Sequence, residues 1–274
     1  MVQQYRGRAR ALAGAAFALV GVVGAGGCTG GAGASADDRN GGPEAVREAA
    51  HVLAGAGSSR ARTAMTMATG GTRVTIRGTG GFDFRRRSGR LRVVLPPDAA
   101  GAEEHPPITE LLTPAAVYMK NRGANVPAGQ WVRIEPEKLS DGNLVTNGAT
   151  DPLVAAELLR GARGVAYAGT EELAGVRVRH YKGTADLAVA ARNAATPEAR
   201  AVLAAAAKGF AGPGVPFDAY FDVQGRLRKV REIFSFANKG QTVQVASTTL
   251  LYDFGAPVAV TLPPLGDIYA GTVE

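Results

Sequence analysis

The chain of 274 residues is poor in the side chains that usually carry chemistry: one cysteine, one tryptophan and three histidines. A single cysteine closes no internal disulfide. His51, His105 and His180 are far apart in sequence, and none stands at metal-ligand spacing from another His, from Cys or from a carboxylate cluster, so no metal is expected. There is no Gly-x-Ser-x-Gly elbow to present a nucleophile, and no Gly-Lys-Ser/Thr to cradle a phosphate. The acidic pairs Glu103-Glu104 and Glu171-Glu172 have side chains that diverge on a strand or lie in loops, and they read as solvated. Asp186 reads as a first-turn charge complementing a helix dipole. These absences point away from an enzyme and from any cofactor.

The charge balance also excludes more than it suggests. The formal net charge is +7, but Arg6, Arg8 and Arg10 lie in an acid-free leader. Without residues 1–27, 28 basic residues face 24 acidic ones, a net of +4 that marks only a soluble domain. Arg73, Arg77 and Arg133 alternate with apolar residues in strands, and no platform of aromatics accompanies them. Nucleic acid is therefore not expected as a partner.

What is present begins at the amino terminus. Met1–Arg10 is short and basic, Ala11–Val23 is uncharged and apolar, and Ala25-Gly26-Gly27 precede Cys28. That order is a secretory signal peptide over residues 1–27. The apolar run falls short of the roughly 20 residues that a membrane-spanning helix needs. An unpaired thiol directly after a signal peptide has an obvious use as the acceptor of a diacylglycerol anchor. The stretch resembles a lipobox, with Ala25 where that pattern usually has Leu. The competing reading is ordinary cleavage after small residues, giving a free secreted protein; the intact mass of the mature amino terminus separates the two. Residues 28–42, mostly Gly, Ala, Ser, Asp and Asn, form a flexible tether spanning roughly 20 Å root-mean-square.

Residues 43–274 read as one domain. The pattern predicts a helix over 43–56 with Val46, Ala49, Ala50 and Leu53 on one face, then a meander of short alternating strands. Met65 and Met67, Val74 and Ile76, Phe82 and Phe84, and Leu91, Val93 and Leu95 fall on its apolar face, with turns expected at Gly70-Gly71 and Ser88-Gly89. Residues 108–112 read as a helical turn, and 117–120 and 131–135 as strands. A short helix over 151–160 opens with Asp151 as cap and Pro152 in its first turn. A hairpin over 165–181 precedes Ala-rich helices over 184–195 and 197–208, divided at Thr196-Pro197. Three strands close the chain, the first carrying Phe217, Ala219 and Phe221 on one face. About ten strands with three or four helices imply an α+β fold. A sheet that wide curls, so the expected architecture is a half-barrel with helices across its concave face.

From about Ala45 to Ala270 the chain resembles the LppX/LprAFG family of actinobacterial lipoproteins. The resemblance is carried by the strands over 63–69 and 73–90, by LTPAAVYMK at 112–120, and by Trp131-Val132-Arg133 after a Pro-Ala-Gly loop. Further on it is carried by Asp151-Pro152-Leu153 with Leu158-Leu159, by 167–181 ending Val-Arg-His-Tyr, and by the hairpin over 217–230 with Asp-x-x-Gly-Arg-Leu-Arg-Lys. More distantly the layout is similar to the LolA/LolB carriers and the regulator RseB.

The resemblance implies an apolar cavity between sheet and helices that holds the acyl chains of a membrane lipid or glycolipid. Met65, Met67, Val74, Ile76, Phe82, Phe84, Leu91, Val93, Leu158, Phe217 and Phe221 are the expected cavity residues, and the same residues would equally serve as plain core. The expected protein is an exported monomer, held to the outer face of the cell membrane through Cys28, that binds and transfers an acyl lipid. The alternative is an RseB-like regulatory lipoprotein that binds a membrane protein.

Overall fold

Strand alternation, more than helix propensity, organises this chain, and the paired strands show which parity faces inward. The computed structural model describes residues 42–69, 72–96, 106–123, 126–146, 150–212, 214–238 and 241–270, all within the unit Ala34–Glu274. The expected leader, Cys28, all of the tether but Gly42, the turn at Gly70-Gly71, Glu103-Glu104 and His105 lie outside the described residues.

Eleven antiparallel strands form one sheet: β1 (Ser58–Thr69), β2 (Thr72–Asp83), β3 (Ser88–Val94), β4 (Ile108–Leu112), β5 (Val117–Lys120), β6 (Trp131–Ile134), β7 (Ala162–Leu173), β8 (Val176–Asp186), β9 (Gly214–Phe221), β10 (Leu227–Asn238) and β11 (Gln241–Tyr252). Their order is β6-β5-β4-β3-β2-β1-β11-β10-β9-β8-β7. Two meanders are thus joined where β1 pairs with β11, Met65 opposite Ser247. The sheet is open and curled, as expected for a strongly twisted sheet of this width. Five α-helices are described: α1 (Gly42–Arg47), α2 (Ala49–Gly55), α3 (Pro152–Leu158), α4 (Leu187–Asn193) and α5 (Pro197–Gly209). Their buried faces (Val46 and Leu53, Ala155 and Leu158, Leu187 and Ala190, Leu203 and Ala206) join one core with the concave side of the sheet. Asp151, Asp186 and Thr196 cap α3, α4 and α5 by accepting backbone N–H bonds; α3 and α5 start where the sequence places them, whereas Asp186, read as a first-turn charge, is the N-cap that precedes α4.

Several local expectations are corrected. Ile108–Leu112 is strand β4, not a helical turn; Ile108, Glu110 and Leu112 share one face while Leu111 is buried on the other, so two-sided burial erased the alternation. The first helix breaks at Glu48 into α1 and α2. Ser88 and Gly89 belong to β3, and the β2–β3 turn is Phe84–Arg87, where the Asp83 carboxylate accepts the Arg85 and Arg86 N–H groups and Arg87 takes φ 52°. Residues 184–186 complete β8, and α4 starts only at Leu187.

Glu171 is also not simply solvated. Its carboxylate lies 2.8 Å from His180 Nδ1, and Asp218 lies 2.8 Å from Nε2, with the imidazole stacked on Tyr220. One residue from each of β7, β8 and β9 thereby forms a polar staple across the sheet. His180→Ala leaves two carboxylates without their shared partner. It is expected to cost about 1–3 kcal/mol in denaturant unfolding, whereas an unchanged midpoint would mean that the staple carries no stability.

Beyond β11 the chain doubles back as a strap. Gly255 N–H donates to Ser58 O, and Ser58 Oγ donates to Ala256 O. A Cβ on Gly81 would meet the Val258 side chain, so the strap passes over β2 on the convex side. It ends against β6, where Ile268 bridges Trp131 in parallel and Tyr269 N–H donates to Trp131 O. An edge strand is covered in this way, which removes a site of unwanted pairing.

Candidate functional site

Several connections at one end of the sheet meet the helix layer around a pocket of about 170 Å3. Ala50, His51 and Ala54 come from α2, Phe84 and Arg87 from the β2–β3 turn, and Leu112, Thr113, Pro114 and Val117 from the β4–β5 connection. Pro136 and Gly142–Leu144 line the side beyond β6, and Asp151, Leu153, Val154, Glu157, Arg160, Ala195, Thr196, Glu198, Ala199 and Val202 complete the helical wall. The small side chains on α2 and α5 make the space, since alanine fills less than the leucine that the same faces would otherwise carry.

The walls are apolar and the rim is ionic. Arg87 donates to Thr196 Oγ1 at 2.9 Å and to Glu198 Oε2 at 3.3 Å, so the β2–β3 turn is tied to the start of α5 beside the pocket. Glu198 is held below the usual carboxylate range by its own backbone N–H, by Thr196 and by Arg87. Arg160 Nε donates to Glu157 Oε2 at 2.7 Å, and the same oxygen accepts from Ala195 N–H at 3.1 Å. Enclosure raises the Asp151 carboxyl to about 6, against the opposing pull of the Leu153 and Val154 N–H groups and of Arg87. Among the described residues, no three His, Cys, Asp or Glu side chains are placed to hold a metal ion.

Of the expected cavity residues, only Phe84 lines this pocket. Met65, Ile76, Phe82, Leu91, Val93, Leu158, Phe217 and Phe221 join Phe84 in the buried core, Met67 packs at its margin, and Val74 is half-buried on β2. Sequence reasoning missed Arg87, Thr196 and Ala199 as pocket residues. The Thr196-Pro197 signal located the helix start, but no local pattern indicates which turn from elsewhere meets it.

No family model and no curated protein matches the chain. Solved structures do resemble it. LprF from Mycobacterium bovis is similar at 14% identity and a TM-score of 0.42, the match covering 81% of this chain and 96% of that one. LppX from Mycobacterium tuberculosis is similar at 12% identity and a TM-score of 0.49, covering 80% and 97%. A putative outer membrane lipoprotein-sorting protein domain from Vibrio parahaemolyticus is similar at 10% identity and a TM-score of 0.34, covering 78% and 93%. The likeness at these identities concerns fold alone.

The concave face of the sheet also holds buried polar groups. Glu232, opposite Ser247 across β10–β11, is 1% exposed, and its Oε1 has no partner; burial holds its carboxyl well above the usual range. Ser247 Oγ lies 2.8 Å from Thr150 Oγ1, which donates in turn to Leu144 O beside the pocket. Glu110 on β4 is likewise buried with an unpartnered Oε1, and burial raises it to about 8 against the pull of Arg122. Among the described residues, no helix is long and apolar enough to cross a membrane.

Proposed function

We propose that this chain is an exported lipoprotein, anchored through Cys28, that binds an acyl lipid with part of a chain in the pocket between the helix layer and the β4–β5 connection. The observation that carries the reading is a pocket with apolar walls (Ala50, Ala54, Phe84, Leu112, Val117, Leu153, Val154 and Val202) and an ionic rim. An amphiphile has the same division between tail and head. The pocket is smaller than the roughly 300–1,000 Å3 usual for small-molecule sites. It therefore takes an acyl segment rather than a whole lipid. Burial of six methylenes at about 0.8 kcal/mol each supplies roughly 5 kcal/mol, enough for reversible carriage without a catalytic step.

The test is native mass spectrometry and organic extraction of the full chain carrying Cys28→Ser, purified from a cell that supplies membrane lipid. Adducts with lipid masses are expected, and Ala54→Trp, which fills the pocket from α2, is expected to lower their occupancy at least tenfold. Empty protein, or equal loading of the Ala54→Trp variant, would overturn this reading. Co-purification of an empty chain with one membrane protein would favour the regulatory alternative instead.

A further inference from the structure

The alternating arginines of the first three strands all emerge on one side. Arg60 and Arg62 on β1, Arg73 and Arg77 on β2, and Arg90 and Arg92 on β3 have the parity opposite to the core residues Ala61, Met65, Ile76, Phe82, Leu91 and Val93. All six arginines are exposed. The register sets them in rows: Gly81 lies between Arg60 and Arg90, and Thr79 between Arg62 and Arg92. Row-mates two strands apart stand roughly 10 Å from each other, and residues two apart along a strand roughly 7 Å. No carboxylate among the described residues pairs with any of the six. The one acid on this face of β1–β3, Asp83, is engaged by Arg86 and by the amides of its own turn.

Six like charges without a carboxylate partner, Arg62 resting over the Tyr252 ring at 5.0 Å, repel one another on a small area, and a counter-charge of matching extent relieves that repulsion. The row through Arg62 and Arg92 continues through Thr109 to Lys120 and Trp131. Exposed apolar side chains stand on the same side or at its β6 margin: Val94 at 41%, Leu262 at 48% and Leu265 at 88% exposed. A cationic field bordered by apolar tips and a tryptophan suits an anionic surface with an apolar interior beneath it, which a soluble polyanion lacks. We propose that the arginines on the convex face of β1–β3, together with the strap that crosses this face at Gly81 between Arg60 and Arg90, dock on an anionic lipid bilayer. This face is on the opposite side of the sheet from the helices, so docking leaves the helix layer and its pocket turned away from the bilayer.

The test is co-sedimentation of the full chain carrying Cys28→Ser with phosphatidylcholine vesicles, with and without phosphatidylglycerol, at low salt and at about 0.5 M salt. Arg62→Glu/Arg92→Glu is expected to lower partitioning onto the anionic vesicles at least tenfold. Arg192→Glu/Arg200→Glu, the same charge change on exposed positions of α4 and α5, is expected to lower it less than threefold. High salt should weaken wild-type binding strongly, since charges at a surface are screened beyond about 10 Å already at 0.1 M. The milder pair Arg62→Gln/Arg92→Gln keeps the test valid if charge reversal disturbs folding, and each variant is checked by its thermal unfolding. Equal loss in the face and helix variants would reduce the effect to net charge and overturn the proposal. So would equal binding to vesicles without phosphatidylglycerol, or a preference for duplex DNA over anionic vesicles.

Discussion

Between about pH 4.5 and 8 the protein should lose stability on the order of 4 kcal/mol through Glu110 alone. Glu110 lies on the core side of β4, between Leu91 and Met119 of the flanking strands, and burial raises its carboxyl from 4.5 to about 8. A carboxyl raised on folding binds its proton more tightly in the native state than in the unfolded chain. The native state therefore holds more protons throughout the window, and unfolding free energy falls as pH rises through it. The contribution is fully present below the unfolded value and is lost by the time pH passes the folded one. Each tenfold gain in proton affinity on folding is worth about 1.4 kcal/mol, which gives the magnitude. Urea unfolding at pH 5 and pH 9 measures it. Glu110→Gln should make the slope shallower by this share, while Glu232 and Asp151, both raised by burial, keep a slope of the same sign in the variant. Parallel curves for wild type and Glu110→Gln would show that Glu110 is solvated and ionised in the native protein.

Phe82→Ala should cost about 3–5 kcal/mol, the usual range for deleting a buried phenyl group. Phe82 is 1% exposed, its ring lies 5.4 Å from that of Phe84, and a Cβ on Gly89 of the next strand would collide with it. A residue packed so closely leaves a void when truncated. Its removal should lower the urea midpoint while lipid loading per folded molecule stays unchanged. The pocket variant Ala54→Trp should do the reverse, lowering loading with little change in midpoint. If Phe82→Ala instead altered loading and left stability intact, the acyl chain would lie deeper, in the space framed by Met65, Ile76, Phe82 and Leu91, and the pocket at the helix layer would be its entrance.

Much of the fold is legible along the chain because its signals are local. The alternation at Met65–Met67, Leu91–Leu95 and Phe217–Phe221 identifies strands and tells which side is buried. Asp151-Pro152 and Thr196-Pro197 mark helix starts through a cap and a proline that needs no donor. Legibility fails where burial has two sides. Leu111 is covered on the convex side and Ile108, Glu110 and Leu112 on the concave side, so β4 shows no period of two. It fails again at His180, whose partners Glu171 and Asp218 are 9 and 38 residues away. The strap carries no strand pattern of its own; it is held by a few contacts to β1, β2 and β6.

Sequence alone was enough to define an α+β chain of alternating strands and short capped helices, and the identity of most core residues. These properties depend on neighbours within a few positions, where backbone geometry couples residue type to conformation directly. Only tertiary structure decided that β1 closes on β11, that the pocket forms where Arg87 meets Thr196 and Glu198 across more than a hundred residues, and that six arginines from three strands share one exposed face. Strand alternation assigns each side chain to one of two faces, but it does not say which strands are neighbours. Register and order do, and they are settled by the packing of the whole sheet against its helices.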